Sequence, residues 1–265
     1  MKKKFDYKKL YLALILFFFY APIIYVIVFS FNDSRSLTNL TGFSIRWYEK
    51  MFRSRSMMES VYYSVLIAVI ATAVSTVVGT IASIGLSKSR RVVREVVTQV
   101  NNLPMLNPDI VTAIGLMLFF STLSIPTGFG TLLLAHIMFC IPYVMLSVTP
   151  KLRQLDDNLA EAALDLGCTP FQALWKVIIP QIKEGIISGA LVAFTMSFDD
   201  FVISYFTTGP GSNNISTYVY STSKRINPSI NALSTLIVIA ITLILIVMNV
   251  IPMIKQRRKR NEEIM

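Results

Sequence analysis

Charge is what this sequence has least of. Only 15% of its 265 residues are Asp, Glu, Lys or Arg, while 54% are hydrophobic, and the mean hydropathy is +0.59. A soluble domain carries about a quarter charged residues, so the composition points to a membrane protein. Histidine is nearly missing: His136 stands alone, inside an apolar segment, and reads as a packed, hydrogen-bonded residue. Cysteine is limited to Cys140 and Cys168, without disulfide or metal-ligand spacing. A catalytic triad built on these cysteines is therefore not indicated, and neither is a metal site. No G-x-x-x-x-G-K-[ST] phosphate loop occurs, which excludes ATP binding by that route. Acid is scarcer than base, and the net charge is +10. In a soluble protein that balance would raise nucleic acid as a partner. Here the basic residues flank apolar runs, and orientation in a membrane explains them more simply.

A bilayer core of about 30 Å takes about 20 helical residues. Six segments reach that length: 10–31, 61–86, one ending near 123, 129–149, 183–206 and 232–254. The expected fold class is all-α, a polytopic membrane protein with six transmembrane helices. The first run follows lysines, as in a signal sequence. Its apolar part is longer than a usual signal core, and no small-x-small cleavage site follows, so it reads as an uncleaved first span. Lys and Arg crowd segments 2–9, 88–94, 151–183 and 255–260, and are sparser in 32–55 and 224–225. That bias places both termini in the cytoplasm, with the basic tail 256–265 as an anchor.

The third run is irregular. From Glu95 to Leu123 a straight helix would run about 42 Å, longer than the membrane core. Its first half is polar, with Thr98, Gln99, Asn101 and Asn102, and then comes "LPMLNPDIV" with Pro104 and Pro108. Proline removes a helical hydrogen bond and disfavours helix in the residue before it. The expectation is a broken helix in which Asn107 caps the second piece, Pro108 is its first residue and Asp109 lies in its first turn. Broken backbone at membrane depth is tolerated where protein or a water-filled cavity surrounds it, so this span is expected to line a cavity. The competing reading is an ordinary helix start at the cytoplasmic surface, with Asp109 complementing its dipole.

Between the fourth and fifth runs lies "KLRQLDDNLAEAALDLGCTPFQALWKVIIPQIKEG", too polar to span. It reads as two short helices. The first, 159–166, can be capped by Asp156, Asp157 or Asn158 and ended by Gly167 in the left-handed conformation. The second has Thr169 as cap and Pro170 at its first position, and Pro180 marks where it gives way to the fifth span. Such a knob at the membrane face can dock a partner, with Ala162 and Ala163 allowing close approach, Leu159, Leu166 and Trp175 giving apolar contacts and Glu161 a charge. An amphipathic hairpin covering the bundle's own base is the structural alternative.

Glu161-Ala162-Ala163, then Gly167, then Val177, Ile179 and Pro180 resembles the E-A-A loop of binding-protein-dependent ABC importer permeases. That pattern is E-A-A, three residues, G, nine residues, I, one residue, L-P. The departures are Val177 for Ile and Ile179 for Leu. The resemblance implies a type I permease fold with a shared core over about 57–255, after an N-terminal helix and outer loop at 1–56. It implies that loop 151–182 holds a coupling helix seated in a cleft of a cytoplasmic ATPase, with Glu161, Ala162, Ala163 and Gly167 as coupling residues. Two such ATPase subunits would bind ATP and Mg, and this chain would carry no cofactor and be no enzyme.

Inside the fifth run, "SFDDFVISYFTTGPG" sets Asp199 and Asp200 side by side after Ser197. A charge in mid-membrane costs about 2.5–3.5 kcal/mol on insertion scales, so these acids are expected to face water, a cation or a neighbour. Asp199 lies about 24 Å up a straight helix from Lys183, in the outer half of the membrane. Adjacent helical residues diverge by about 100°, so one carboxylate can face the pathway and the other a neighbouring helix. Asp109 can add a third. A cavity lined by acids concentrates cations and suits an organic polycation. Trp47 in the outer loop can receive an ammonium on its ring, or serve as an ordinary interfacial aromatic.

The wider strings "SFDDFVISYFTTGPGSNNISTYVYS", "NLPMLNPDIVTAIGLMLFF" and "APIIYVIVFSFNDS" resemble the spermidine/putrescine permeases, in particular the second of their two membrane subunits. This resemblance implies a heterodimer of two permease subunits in a prokaryotic plasma membrane, two ATPases and an external polyamine-binding protein, with Asp199, Asp200, Asp109, Ser197 and Trp47 on the substrate pathway. The rival readings are the same machine for another solute, an ion-coupled secondary transporter using the aspartates as a relay, and a structural membrane anchor.

Overall fold

The computed structural model describes residues 7–156, 158–222, 227–243 and 246. Among them the one extended pairing is an isolated bridge between Asn32 and Phe43; everything else regular is helix. They divide into two compact units, one up to Met58 together with the residues from Val219 on, and one from Glu59 to Tyr218.

In the first unit α1 (Tyr7–Ser30) is apolar on all sides and keeps Pro22 inside it. Leu12, Phe18, Phe19 and Tyr20 are exposed around its circumference, as suits a helix surrounded by lipid. After it, the Asn32 side chain folds the outer loop onto itself, donating to Ser36 O (3.1 Å) and Asn39 O (2.8 Å) and accepting from Thr41 N (2.9 Å). The short α2 (Arg46–Arg53) follows, with Trp47 and Met51 buried.

Helix α3 (Arg55–Ser87) has 33 residues, about 50 Å at 1.5 Å per residue, and leads into the second unit. There α4 (Arg91–Leu106) and α5 (Asp109–Thr122) meet at 106°. The expected broken span is therefore present, but its cap differs. Asn107 closes α4, donating to Leu103 O at 3.1 Å, and Pro108 occupies the position before α5 without a side-chain cap. Both residues have extended ψ, 146° and 136°. A residue before proline is driven to that region, and two in succession make the bend. Pro104 is absorbed in the last turn of α4.

The core of the second unit is the antiparallel pair α6 (Phe129–Arg153) and α9 (Ile179–Asp199). The buried face of α9 recurs every four residues: Gly185, Gly189, Ala193, Ser197. A Cβ on Gly185 would stand 2.8 Å from Lys151 Cγ and one on Gly189 3.1 Å from Val144 Cα. Ala193 O accepts from Cys140 Sγ at 3.4 Å, and Ser197 reaches His136 at 2.7 Å. Small residues let two backbones approach where lipid gives no hydrophobic drive to helix pairing. Lys151 and Glu184 close the pair at 2.8 Å.

The loop after α6 holds α7 (Leu159–Asp165) and α8 (Pro170–Ala173). Thr169 caps α8 in a reciprocal box with Gln172, and Gly167 adopts φ +85°. Pro180 does not separate α8 from the fifth span. A π-helical turn, Leu174–Ile178, joins α8 to α9 without a break, giving one helix from Pro170 to Asp199. The wider turn just before Pro180 accommodates a residue that has no N–H to bond the preceding turn.

The fifth span in turn does not continue to 206 as one helix. It stops at Asp199, turns at Asp200 and restarts as α10 (Val202–Thr207), followed by α11 (Ile215–Thr222). Among the described residues four helices are long and apolar enough to cross a membrane, and the α4–α5 pair, taken as one, is a fifth, broken span. Of the sixth expected span the described residues hold α12 (Ser229–Leu243); the rest of 232–254, like Asp157 and the tail 256–265, lies almost wholly outside them.

Candidate functional site at the joint of two broken spans

The second pieces of the two broken spans, α5 and α10, pack on one another, and α10 also packs on α6. Their breaks therefore lie side by side. Asp109, at the start of α5, lines a narrow crevice with Pro104, Thr112, Phe139, Tyr143 and Ile203, and Ile203 is in the first turn of α10.

The two adjacent aspartates have different environments. Asp199 is exposed at the end of α9, and among the described residues no hydrogen bond or ion pair engages it. Asp109 is likewise exposed and unpaired among them. The Asp200 side chain is 9% exposed. Its carboxylate accepts from Ile203 N (3.3 Å), Ser204 N (2.7 Å) and Ser204 Oγ (2.7 Å), so it satisfies amides that the new helix leaves free. Of the expected pair, one is solvent-facing and one caps a helix.

A buried network extends from that cap. His136, wholly buried, has Nδ1 2.7 Å from Ser197 Oγ and Nε2 3.0 Å from Ser204 Oγ, with Asp200 Oδ2 at 3.6 Å. Asn214 Nδ2 donates to Ser204 Oγ (2.7 Å) and to Asp200 O (3.2 Å). Proton counting assigns the tautomer. Ser204 gives its one hydroxyl proton to Asp200, so it accepts from both Asn214 and His136, and Nε2 must carry hydrogen. Nδ1 is then an acceptor, and Ser197 donates to it. His136 is thus packed and hydrogen-bonded, as expected. The parts played by Ser204 and Asn214 were not anticipated. A signal existed for Asn214: it stands just before α11, and its Oδ1 accepts from Thr217 N at 2.9 Å, an N-cap pattern readable as Asn-x-x-Thr.

The turn after α10 docks on the start of α6. Thr131 Oγ1 donates to Thr207 O at 2.9 Å, and a Cβ on Gly209 would lie 2.0 Å from Thr127 O.

Trp47 belongs to the outer loop and is 2% exposed. Its Nε1 donates to Asn32 O at 2.6 Å, and Arg46 and Lys50 sit over the ring at 4.6 and 4.8 Å from its centroid. A ring whose face already carries two cations of its own chain is an anchor of that loop.

At the other end of the unit, Ala163 is buried, whereas Glu161 and Ala162 are exposed. Leu159 faces inward with Leu152, Leu155 and Ile178. Leu166 is 87% exposed, and Phe171 and Trp175 are exposed too, their rings 6.1 Å apart. Between α4 and the end of α6 lies an open cavity of about 200 Å³, lined by Thr98, Asn101, Asn102, Thr149 and Arg153 together with the apolar Met145, Leu146 and Pro150.

Comparison with known proteins gives this arrangement a family. Putrescine transport system permease protein PotI of Escherichia coli (strain K12) is 37% identical over 235 residues, which cover 86% of this chain and 84% of that protein. Spermidine/putrescine transport system permease protein PotC of the same strain is 34% identical over 223 residues, covering 84% of each chain. PotC of Haemophilus influenzae is 34% identical over 247 residues, 93% of this chain and 96% of that protein. The fold matches the crystal structure of a bacterial ABC transporter involved in the import of the acidic polysaccharide alginate, with a TM-score of 0.70, 16% identity and coverage of 92% and 94%. Residues 75–260 match the family described as binding-protein-dependent transport system inner membrane component. The chain therefore belongs to that family, the multi-pass permeases of ABC importers, and is a transport component and not an enzyme.

Proposed function

We propose that this chain is one of two membrane subunits of an ATP-driven polyamine importer and forms part of the pathway for putrescine or spermidine. The observation that carries the reading is the joint of the two broken spans, where Asp109 and Asp199 are exposed and have no partner among the described residues. Unpaired carboxylates in a low-dielectric wall attract and concentrate organic cations, and a diamine or triamine can meet more than one of them. The relatives at 34–37% identity are putrescine and spermidine/putrescine permeases, whose solutes are organic cations of that kind. An external binding protein delivers the polyamine at the outer side, Asp199 and Asp109 receive its ammonium groups, and release proceeds toward the cavity beside α4. The similarity in fold to a transporter solved with a substrate-loaded periplasmic protein supports the delivery step.

The hairpin α7–α8 is the ATPase contact. Its exposed Leu166, Phe171 and Trp175 offer apolar area at the end of a rigid helix that runs unbroken to Asp199. A push on the hairpin is therefore transmitted along α9 to the joint. ATP and Mg belong to the two ATPase subunits, and both termini of this chain are cytoplasmic. The test is uptake of labelled putrescine and spermidine by proteoliposomes holding the complete complex and its binding protein. ATP-dependent accumulation supports the reading. Uptake of another solute with none of either polyamine overturns it.

A further inference from the structure

We infer that His136, Ser204 and Asn214 act with Asp200 as a latch that fixes the break in the fifth span, so that Asp200 is a positioning residue and Asp199 alone of the pair meets the transported cation. The inference rests on the polyamine-importer reading for the identity of the cation, and on geometry for the latch.

The latch joins pieces that the backbone leaves loosely connected. Asp200 has extended ψ of 130°, so no helical hydrogen bonds carry α9 into α10. Across this gap the links are side chains. His136, from α6, bonds Ser197 on α9 by one nitrogen and Ser204 on α10 by the other. Asn214 bonds Ser204 Oγ and Asp200 O, and its neighbour Ile215 N donates to Ser64 Oγ on α3 at 2.7 Å. One imidazole thus sets the spacing of both halves of a broken span, and Asp199 is the residue held at the edge between them. Every proton and lone pair of Ser204 Oγ is used. A fully satisfied buried network has one low-energy arrangement, and one broken member leaves the others unpaired in a medium where that is costly.

Asp200 has little capacity left for a polyamine, since three of the roughly four acceptor sites of a carboxylate are taken. Its side chain is 9% exposed, and His136 covers it. A cation reaching this place meets Asp199.

The latch predicts a pattern of rates. In proteoliposomes with the whole complex, uptake of labelled putrescine is measured per assembled complex. Asp199→Asn raises KM. His136→Leu and Asp200→Asn each lower Vmax about tenfold with KM little changed, and the double variant falls about tenfold as well, not a hundredfold, because the two residues act as one unit. His136→Gln, which can accept from Ser197 and donate to Ser204, restores a large part of the rate. Should His136→Leu fail to assemble, Ser204→Ala takes its place in the same cycle with Asp200→Asn. Additive losses for the latch pair, or a raised KM in Asp200→Asn matching that of Asp199→Asn, would overturn the latch. Stimulation of ATP hydrolysis by the cognate binding protein is followed in parallel through the same cycle. That readout tests the latch whatever the solute, whereas absence of polyamine uptake by the wild-type complex strikes the importer reading alone.

Discussion

Asp199 and Asp200 share a side-chain type and a chain address, and their surroundings separate them. The first is exposed and has no partner among the described residues; the second accepts three hydrogen bonds from the start of α10. The sequence made two carboxylates in an apolar run visible, and helical geometry required them to diverge. Which one stays free depends on where the helix stops. Asp109, exposed in the neighbouring break, gives a separate expectation: Asp109→Asn weakens putrescine uptake by raising KM about three- to tenfold, the loss of one ion contact in a partly hydrated site, measured by initial rates over a range of substrate. At Gly209 the constraint is steric. Its Cβ position is 2.0 Å from Thr127 O and 2.5 Å from Thr127 C, and backbone cannot step aside as a flexible side chain can. Gly209→Ala is expected to destabilise the protein by about 1–3 kcal/mol, read as a lowered midpoint in thermal unfolding of the detergent-solubilised complex.

At the scale of elements, the α7–α8 hairpin is the part most readable from sequence. Thr169, Pro170 and Gly167 each act locally, through a cap, a fixed φ and a left-handed φ, and all three occur as expected. Gly167 has open space where a Cβ would go, so only its φ of +85° restricts it. A β-branched residue there costs about 1–2 kcal/mol, whereas Asn visits that region readily. Gly167→Val should therefore lower ATPase stimulation by the loaded binding protein several-fold, and Gly167→Asn should leave most of it. Equal effects of the two would remove the backbone explanation. Pro180 does not end its helix, because a proline forces a break only when the helix has no other way to lose one hydrogen bond. Here the π turn at 174–178 supplies that way. The α6–α9 seam gives a further test. Gly189 lies 3.1 Å, by its Cβ position, from Val144 Cα, and Gly189→Leu must separate the helices that hold His136 and Ser197 in register. Loss of assembled complex, seen by size-exclusion chromatography, is the expected result.

For the molecule as a whole, orientation is the property with the simplest check. Cys140 is buried in the seam and Cys168 is half-exposed in the turn between α7 and α8. A membrane-impermeant maleimide should label Cys168 in inside-out vesicles stripped of ATPase and not in right-side-out ones, and rebinding the ATPase should protect it. Labelling from the outer side would reverse the topology.

What the sequence determined by itself was whatever depends on near neighbours along the chain or on composition. Apolar run lengths set the spans, basic residues the expected orientation, and Asn107-Pro108 the fact, though not the residue-by-residue detail, of a broken helix. The tertiary structure decided which polar groups are free. His136 stands 68 residues before Ser204 in the chain and meets it only because the small face of α9 lets α6 come close and α10 folds back across the gap. Hydrogen bonding is satisfied by proximity in space, and a chain of one-letter residues carries no record of which acceptor has already been taken.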